Sequence, residues 1–374
     1  MHTSTGFSDS KSHYLILDGL RGVAAIMVVM FHLLETFSLG NNHHQIINHG
    51  YLAVDFFFAL SGFVIGYAYD DRWGKMTLGN FFKRRLIRLH PMIIIGMLIG
   101  GATFYLQGGH FFPGIPDVPV GRMLLVMFIG MTLIPVSKSM DVRGWEEMHP
   151  LNGPAWSLFF EYIANLLYAL IFRHLSTKVL SVLVAIAALA LTHLAVTRGD
   201  VIGGWSIDSL QLQIGFTRLM FPFLAGLLLS RIVKPGTIHN AFLWSSLLLA
   251  VVFSVPRLGG TDHQWINGLY VAFSIIVIFP LVVYIGASGT LKGKKTIAVS
   301  QFLGDISYPL YITHFPLNLM FMAWVGNNQV SLADALPMAF GALIASIVLA
   351  YASFRLFDVP VRNWLTKKVL SKKG

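Results

Sequence analysis

Long apolar runs separated by short polar stretches make up most of the 374-residue chain. Ten of these runs have about 17–24 residues, the length that an α-helix needs to cross the hydrocarbon core of a bilayer. They predict helices at 14–37, 51–69, 89–107, 154–172, 178–196, 214–230, 238–256, 266–287, 301–324 and 333–355. The pattern is typical of an all-α polytopic membrane protein with about ten transmembrane helices.

The apolar segment 121–136 fits this pattern less well, because it has 16 residues and is interrupted by Gly130. With ten crossings and the N-terminus inside, 20 of the 27 Lys and Arg residues fall on the inner side and 5 on the outer side. Cytoplasmic loops show this asymmetry. An eleventh crossing would place the basic C-terminal tail outside. We therefore expect a re-entrant segment or a short buried helix near 121–136, and both termini in the cytoplasm.

Composition supports a membrane protein and excludes other classes. Apolar residues make up 55% of the chain, charged residues 12%, and the mean hydropathy is +0.67. The net charge of +10 is spread between the apolar runs, which favours contact with membrane lipid and no nucleic-acid partner. Cysteine is absent, and the loop histidines His43, His44 and His49 lack zinc-ligand spacing. We predict solvated histidines, no metal, and a single transmembrane domain over 1–374 without an appended soluble domain.

The first apolar run carries two ionisable residues, Arg21 and His32, eleven positions apart. Eleven residues make about three helical turns, so both side chains leave the same helix face, roughly 16 Å apart along the axis. Asp18 and Glu35 extend this polar stripe at its two ends. Ionisable groups inside a membrane span usually mark a pathway or a reactive site. The alternative is a helix-packing ion pair with a buried structural histidine.

Three acidic or basic side chains in other runs are candidate partners. Asp55 is predicted at the same depth as His32, where its carboxylate would fix the imidazole tautomer and leave the other nitrogen as a general base. Asp55 could instead pair with another residue or cap a helix. Glu161 follows Ser157 by four residues, so both share a helix face. Arg218 is a buried cation that needs a partner, and Glu161 is a candidate.

A basic cluster precedes the third predicted helix. Its members Arg85 and Arg88 are three residues apart, so they share a helix face next to Arg84. Two guanidinium groups form a fork suited to phosphate. The alternative is an anchor against anionic lipid. In the ninth run, His314 lies near the middle of the membrane with Tyr311 on the same face.

These residues resemble motifs of the membrane-bound acyltransferase-3 family, and the similarity runs from about 13 to 365. The motifs are Arg21-x10-His32, Gly50-x4-Asp55-Phe-Phe-Phe-x2-Ser61-Gly62, Arg85-x2-Arg88, Trp156-Ser157-Leu158, and Ser307-Tyr308-Pro309-Leu310-Tyr311 with His314. The family's tail often reads Glu-x-Pro-x-Arg, whereas this chain has Asp358-Val-Pro360-Val-Arg362. Many relatives also carry an extracytoplasmic esterase-like domain that we do not find here, which leaves the acceptor open.

The resemblance implies a bacterial inner-membrane enzyme that takes an acyl group, usually acetyl, from cytoplasmic acyl-CoA. The acceptor would be a hydroxyl of a sugar, a cell-surface or lipid-linked glycan, or a similar molecule. Arg21 and His32 would be the essential pair, with Asp55 and Glu161 as further catalytic residues, and His32 would act as general base or transient acyl carrier. The acyl-CoA donor would be bound by Arg84, Arg85, Arg88, Tyr311 and His314.

Two alternatives belong to other functional classes. A secondary transporter would also use intramembrane His, Asp and Arg side chains, as a proton relay. Transporters of this kind often show paired halves with helices broken at matching places, and we find no such repeat. A degenerate, non-catalytic scaffold is disfavoured because both Arg21 and His32 are present.

Overall fold

The apolar runs of the sequence form helices. The computed structural model describes residues 14–38, 40–233 and 236–370, and these residues contain no β-strand. The all-α fold class is therefore confirmed. The helices are α1 (Leu15–Glu35), α2 (Ala53–Tyr69), α3 (Leu78–Thr103), α4 (Val120–Met131), α5 (Ala155–Leu170), α6 (Thr177–Arg198), α7 (Ser209–Ile232), α8 (Ala241–Ser254), α9 (Gln264–Phe273), α10 (Phe279–Ser288), α11 (Lys294–Asn328), α12 (Leu332–Ser353) and α13 (Val359–Leu365).

Eight helical segments are long and apolar enough to cross a membrane. They comprise α1, α2, α3, α5, α6, α7, the continuous segment from α9 to α10, and the segment that begins with α12. Of the remaining long helices, α8 is apolar but has only 14 residues, and α11 has 35 residues. Together with α8 and α11, the eight segments correspond to the ten apolar runs, as expected of a polytopic membrane protein.

The third helix differs from its prediction. The sequence predicted a helix over 89–107, whereas α3 begins at Leu78, where the Thr77 hydroxyl accepts a hydrogen bond from the Asn80 amide at 3.2 Å. The basic cluster therefore lies within the helix rather than before it. Arginine is a good helix former, and its long aliphatic stem lets the charged group reach a polar surface from an otherwise apolar helix.

The segment near 121–136 forms the short helix α4, which has 12 residues. At about 1.5 Å per residue it is roughly 18 Å long, well below the ~30 Å of a bilayer core. One face is buried, through Met123, Val126, Met127 and Gly130. A Cβ atom on Gly130 would lie 2.9 Å from the sulfur of Met97 on α3. The helix is thus packed on the bundle, as predicted.

The helices α2 and α7 cross in backbone contact. A Cβ atom on Gly62 would collide with the carbonyl of Phe223, and one on Gly226 would collide with the carbonyl of Ala59. Such small residues let membrane helices approach closely. This contact fixes which face of α2 turns toward α7, and it determines the partner of Asp55 described below.

The bundle has two ends that differ in charge. We call the end at residues 70–77, between α2 and α3, the basic end, and the opposite end, which carries residues 36–52 and 104–154, the far end. The starts of α1 and α11 meet at the basic end, where the Ser300 hydroxyl donates to the Leu15 carbonyl at 2.6 Å. Along α1, Arg21 is therefore nearer the basic end and His32 nearer the far end.

Candidate functional site

A cavity of about 480 Å³ extends from the basic end of the bundle, at Leu15 and Arg88, to the starts of α2 and α5, at Val54 and Ser157. Its walls come from α1, α2, α3, α5 and α11 and from the segment around α13. The polar side chains that line it include Arg21, Ser61, Arg85, Arg88, Ser157, Glu161, Tyr311 and Arg362. A volume of this size is typical of small-molecule sites. The structure thus brings Arg21, Arg85, Arg88, Glu161 and Tyr311 together around one cavity.

Four arginine side chains line this cavity, and three of them are paired. The guanidinium-to-carboxylate distances are 3.3 Å for Arg21–Asp18, 2.9 Å for Arg85–Glu161 and 2.6 Å for Arg362–Asp358. The fourth, Arg88, is exposed to the cavity and has no ion pair or hydrogen bond within the part of the chain that the structure describes. Its N–H donors are therefore available to a ligand.

Arg85 and Arg88, predicted as an equivalent pair that binds phosphate, are made different by Glu161. Arg85 is buried and donates to Glu161, which also accepts a hydrogen bond from the Ser61 hydroxyl at 3.0 Å. The prediction that Glu161 would pair with Arg218 is wrong. The two arginines therefore differ: Arg88 can bind a ligand, whereas Arg85 is held in place by Glu161.

Arg84 does not line the main cavity. It lines a separate hollow of about 40 Å³ with Tyr69, Arg72 and Lys75. One residue of helix turns a side chain by about 100°, so Arg84 and Arg85 face different sides of α3. The structure therefore gives no support to grouping Arg84 with the cavity residues.

Asp55 pairs with Arg218 and not with His32. The distances from the carboxylate to Nη2 and Nε are 2.7 and 3.2 Å, and the two residues are 0% and 2% exposed. Arg218 also donates to the carbonyls of Tyr51 and Gly203 at 3.0 and 3.1 Å. The predicted His32–Asp55 pair is wrong because Asp55, although chosen for its depth, lies on the face of α2 that turns toward α7.

The partner of His32 comes from its own helix. Its Nδ1 lies 2.9 Å from Oε2 of Glu35, one turn further along α1. The imidazole is stacked on that of His314, with ring centroids 5.5 Å apart and planes 28° apart. The ring of Phe315 meets His32 edge-on at 5.1 Å. His32 is therefore a half-buried imidazole with an acidic partner and an aromatic surround.

Aromatic and polar contacts connect the cavity with this histidine pair. The Tyr311 hydroxyl lines the cavity and lies 2.8 Å from the Ser157 hydroxyl. The Tyr311 ring is 6.1 Å from that of His314, which in turn stacks on His32. The histidines themselves lie beyond the cavity lining. A continuous row of side chains thus leads from the cavity toward the far end.

A folded loop covers the bundle at the far end. Arg143 donates to Gln107 at 2.8 Å and to the Pro150 carbonyl at 3.1 Å. Its guanidinium lies over the rings of Phe104 and Phe112, at 5.6 and 5.2 Å from their centroids. Asn152 donates to the carbonyl of Ile312 on α11 at 2.7 Å. These bonds tie the loop to α3 and α11.

This loop carries Glu147, a site residue that sequence reasoning missed. Glu147 is 8% exposed, and its Oε2 has no hydrogen-bond partner among the described residues. Burial raises the pKa of Glu147 to about 8, Arg143 opposes this rise, and the charges of Asp141 and Glu35 add to it. The interaction with Glu35 shows that Glu147 lies on the side of the bundle where Glu35 holds His32. Because Glu147 lies in a loop outside every apolar run, the sequence pattern did not indicate that it is buried.

One predicted solvated histidine is buried. His49 has 0% exposure, and its ring nitrogens lie 2.8 Å from the Val255 carbonyl and 3.0 Å from the Asn267 side-chain oxygen. The expectation of a solvated loop is therefore wrong for His49, although His43 and His44 are exposed. The contacts of His49 with Val255 and Asn267, 206 and 218 positions away, were not visible in the sequence pattern.

Comparison with known proteins identifies related chains. A family model described as an acyltransferase domain matches residues 14–355. The protein "Protein 2 in picA locus" of Rhizobium radiobacter is 33% identical over 166 residues, which cover 42% of this chain and 81% of that protein. "O-acetyltransferase OatA" of Staphylococcus aureus is 24% identical over 366 residues, which cover 93% of this chain.

The match to the staphylococcal O-acetyltransferase covers 57% of that protein, so this chain spans little more than half of its length. No solved structure matches the chain.

Proposed function

The chain belongs to the membrane-bound acyltransferase-3 family, and we propose that it moves an acetyl group from acyl-CoA to a hydroxyl of a sugar, a cell-surface or lipid-linked glycan, or a similar acceptor. Acyl transfer in a membrane requires a donor site, an activating group and a route between them. The cavity, the His32 imidazole and the row of side chains that begins at Tyr311 supply these three parts.

The observation that carries the proposal is the unpaired guanidinium of Arg88 in the cavity. Coenzyme A carries phosphates, which guanidinium groups bind through charge-assisted hydrogen bonds. Arg85, fixed by Glu161, adds positive charge behind Arg88. A phosphate bound there would leave the pantetheine arm free to follow the cavity toward Tyr311.

His32 supplies the chemistry in this proposal. Because Glu35 accepts a hydrogen bond from Nδ1, the neutral imidazole keeps its proton on Nδ1 and presents a lone pair on Nε2. That lone pair can take a proton from the acceptor hydroxyl or attack the thioester directly. Arg21, about 16 Å away along α1, lines the cavity and would act on the donor.

The remaining candidate residues take supporting roles. Glu161 positions Arg85 and Ser61, while Asp55 and Arg218 lock α2 to α7 away from the cavity. We place the basic end in the cytoplasm of a bacterial cell, facing acyl-CoA, because of the 20-to-5 distribution of Lys and Arg residues. His32 would then meet the acceptor from the outer side of the inner membrane.

The test uses purified protein with acetyl-CoA labelled in the acetyl group, in membranes that contain the natural acceptor. We expect release of free coenzyme A together with transfer of label to an acceptor, and loss of both in His32→Ala. A transporter would instead move label across the membrane without releasing the thiol. Absence of thiol release from the wild-type protein would remove the proposed reaction.

A further inference from the structure

The imidazole of His314 is held in one orientation by the backbone of its own helix. Its Nδ1 lies 3.0 Å from the Leu310 carbonyl oxygen and 2.9 Å from the Tyr311 carbonyl oxygen. Carbonyl oxygens only accept hydrogen bonds, so Nδ1 must carry the proton. In the neutral ring, Nε2 is therefore a lone-pair acceptor.

This acceptor is buried and unsatisfied. His314 has 0% exposure, and no described residue donates a hydrogen bond to its Nε2. Buried polar atoms without a partner are uncommon, and each calls for an explanation. His49 provides the contrast, because it is equally buried and both of its nitrogens have partners. His149 is also buried and leaves its Nδ1 without a partner among the described residues. What sets His314 apart is that its unsatisfied Nε2 belongs to a ring stacked on His32.

The same tautomer is present on the neighbouring ring. Glu35 holds the proton of His32 on Nδ1, so both imidazoles of the stacked pair present a free Nε2. Their ring centroids are 5.5 Å apart. Two neutral imidazoles side by side can perform two different tasks, one as a nucleophile and one as a base.

We propose that the two histidines divide the reaction, His32 carrying the acyl group on Nε2 while Nε2 of His314 accepts the proton of the attacking hydroxyl. This inference rests on the proposed function and selects the acyl-carrier role for His32. It also gives His314 a catalytic role toward the acceptor instead of the donor-binding role that the sequence predicted.

The reaction then has two half-reactions, acylation of His32 and transfer of the acyl group to the acceptor. In the first, Nε2 of His32 forms a bond to the acyl carbon, the carbon–sulfur bond breaks, and the coenzyme A thiolate leaves with the electron pair and takes a proton from the cytoplasm. In the second, the acceptor oxygen bonds to the acyl carbon, its O–H proton moves to Nε2 of His314, and the bond to His32 breaks. Breaking that bond returns the electron pair to Nε2 and leaves His32 neutral. His314 then releases its one added proton, which balances the proton taken up by the thiolate.

The test separates the half-reactions by changing the acceptor. Water is a weak nucleophile that needs a base, whereas neutral hydroxylamine attacks acyl groups without one. In His314→Gln, we expect hydrolysis of acetyl-CoA to fall about 10²- to 10⁴-fold, the usual contribution of a general base. Formation of acetohydroxamate from acetyl-CoA and hydroxylamine should stay within about threefold of the wild-type rate.

Two controls fix the interpretation. His32→Ala should lose both reactions, and His49→Gln should lower thermal stability without changing the ratio of hydrolysis to hydroxamate formation. Rates are normalised to folded protein measured by gel filtration, and His314→Asn is tested in parallel. The proposal is overturned if hydroxamate formation falls as much as hydrolysis in the His314 variants, if hydrolysis is unchanged, or if the wild-type protein forms no hydroxamate. Failure of the proposed function differs, because the wild-type protein would then release no coenzyme A even with its natural acceptor.

Discussion

The two ends of the bundle handle charge in different ways. At the basic end, arginines and carboxylates line an open cavity of about 480 Å³, and Arg88 is free to bind a ligand. At the far end, His32 is held by Glu35 and packs against α11, and Glu147 is buried in the loop that Arg143 ties down. Accessible charge suits recognition of a phosphate, whereas partly buried groups held by neighbours suit proton transfer.

Ionisable residues inside this membrane bundle therefore serve different purposes. The buried pair Asp55–Arg218 is fully satisfied and holds two helices together, whereas the half-buried His32 has a free nitrogen beside an unsatisfied neighbour. Between these two groups, the satisfaction of their hydrogen-bonding atoms marks the difference, and depth in the bundle does not.

The largest expected effect comes from removing the reactive group at the far end. His32→Ala should lower acyl transfer by about 10³-fold or more, because the imidazole is the proposed centre of the chemistry. Transfer of labelled acetyl groups measures this loss at matched protein levels. The control His193→Ala removes an exposed histidine from α6 and should be silent. Normal transfer by His32→Ala would exclude His32 from the reaction.

Breaking the structural pair should act on stability instead. Asp55→Ala leaves the buried Arg218 without its counter-ion, which typically costs about 3–5 kcal/mol. We expect a lower melting temperature and yield in detergent. The double variant Asp55→Leu with Arg218→Met should recover part of this stability, since no buried charge then remains unpaired. A stable Asp55→Ala protein that had lost only its activity would instead indicate a catalytic role for Asp55.

At the basic end, Arg88→Ala should raise the apparent KM for acetyl-CoA about ten- to a hundredfold, for loss of a charge-assisted contact of roughly 1.5–3 kcal/mol. Lysine at this position should restore the affinity only in part, since it keeps the charge and lacks the fork. The effect should shrink with acetyl-pantetheine, which lacks the nucleotide phosphates.

Arg84→Ala is the matched control, because Arg84 lines a different hollow of the same helix. Equal donor affinity in both variants, combined with a reduced membrane yield, would favour the lipid-anchor interpretation of the cluster.

The last expected effect concerns Glu147 and acts on stability through pH, without a change in the reaction itself. Its pKa is raised from 4.5 to about 8, so the unfolded chain loses this proton at lower pH than the folded protein. Folding stability should therefore fall as the pH rises from about 4.5 to 8, by an amount on the order of 1–4 kcal/mol. Glu147→Gln has no such proton. The melting temperature of this variant, relative to that of the wild type, should therefore be higher at pH 8.5 than at pH 5.

Glu146→Gln is the control for this experiment, because the neighbouring Glu146 side chain is 61% exposed. It should melt in parallel with the wild type at both pH values. A Glu147→Gln protein that shows no pH-dependent gain would contradict the burial of a protonated carboxyl group.

Run length along the sequence predicted the helices well because crossing a bilayer sets a minimum of apolar residues. It placed the start of α3 eleven residues late, since the arginines of the first three turns reach a cavity instead of ending the helix. Length and charge together predicted a re-entrant segment or a short buried helix near 121–136, and the structure has a short helix there, α4.

The candidate site was predicted in part. Spacing along one helix found Arg21, His32, Arg85 and Arg88, and it put Ser157 and Glu161 on one face that lines the cavity. Pairs between helices were less predictable, because the depth of a residue in the membrane does not say which neighbouring helix its side chain faces. Asp55 was therefore given the wrong partner. Glu147 was missed because its burial depends on Arg143 meeting Gln107, a contact across 36 residues of loop and helix.

The distance in sequence between Asp55 and Arg218 has a consequence for the biogenesis of the protein. The two residues are 163 positions apart, and a ribosome adds about 5–20 residues per second. The carboxylate of α2 therefore waits roughly 10–30 s for its counter-ion to be synthesised. A lone charge is costly inside lipid, so we expect α2 to stay near the membrane surface or beside the insertion machinery during this interval. Synthesis of α7 would then be the step that commits α2 to its final depth in the bilayer.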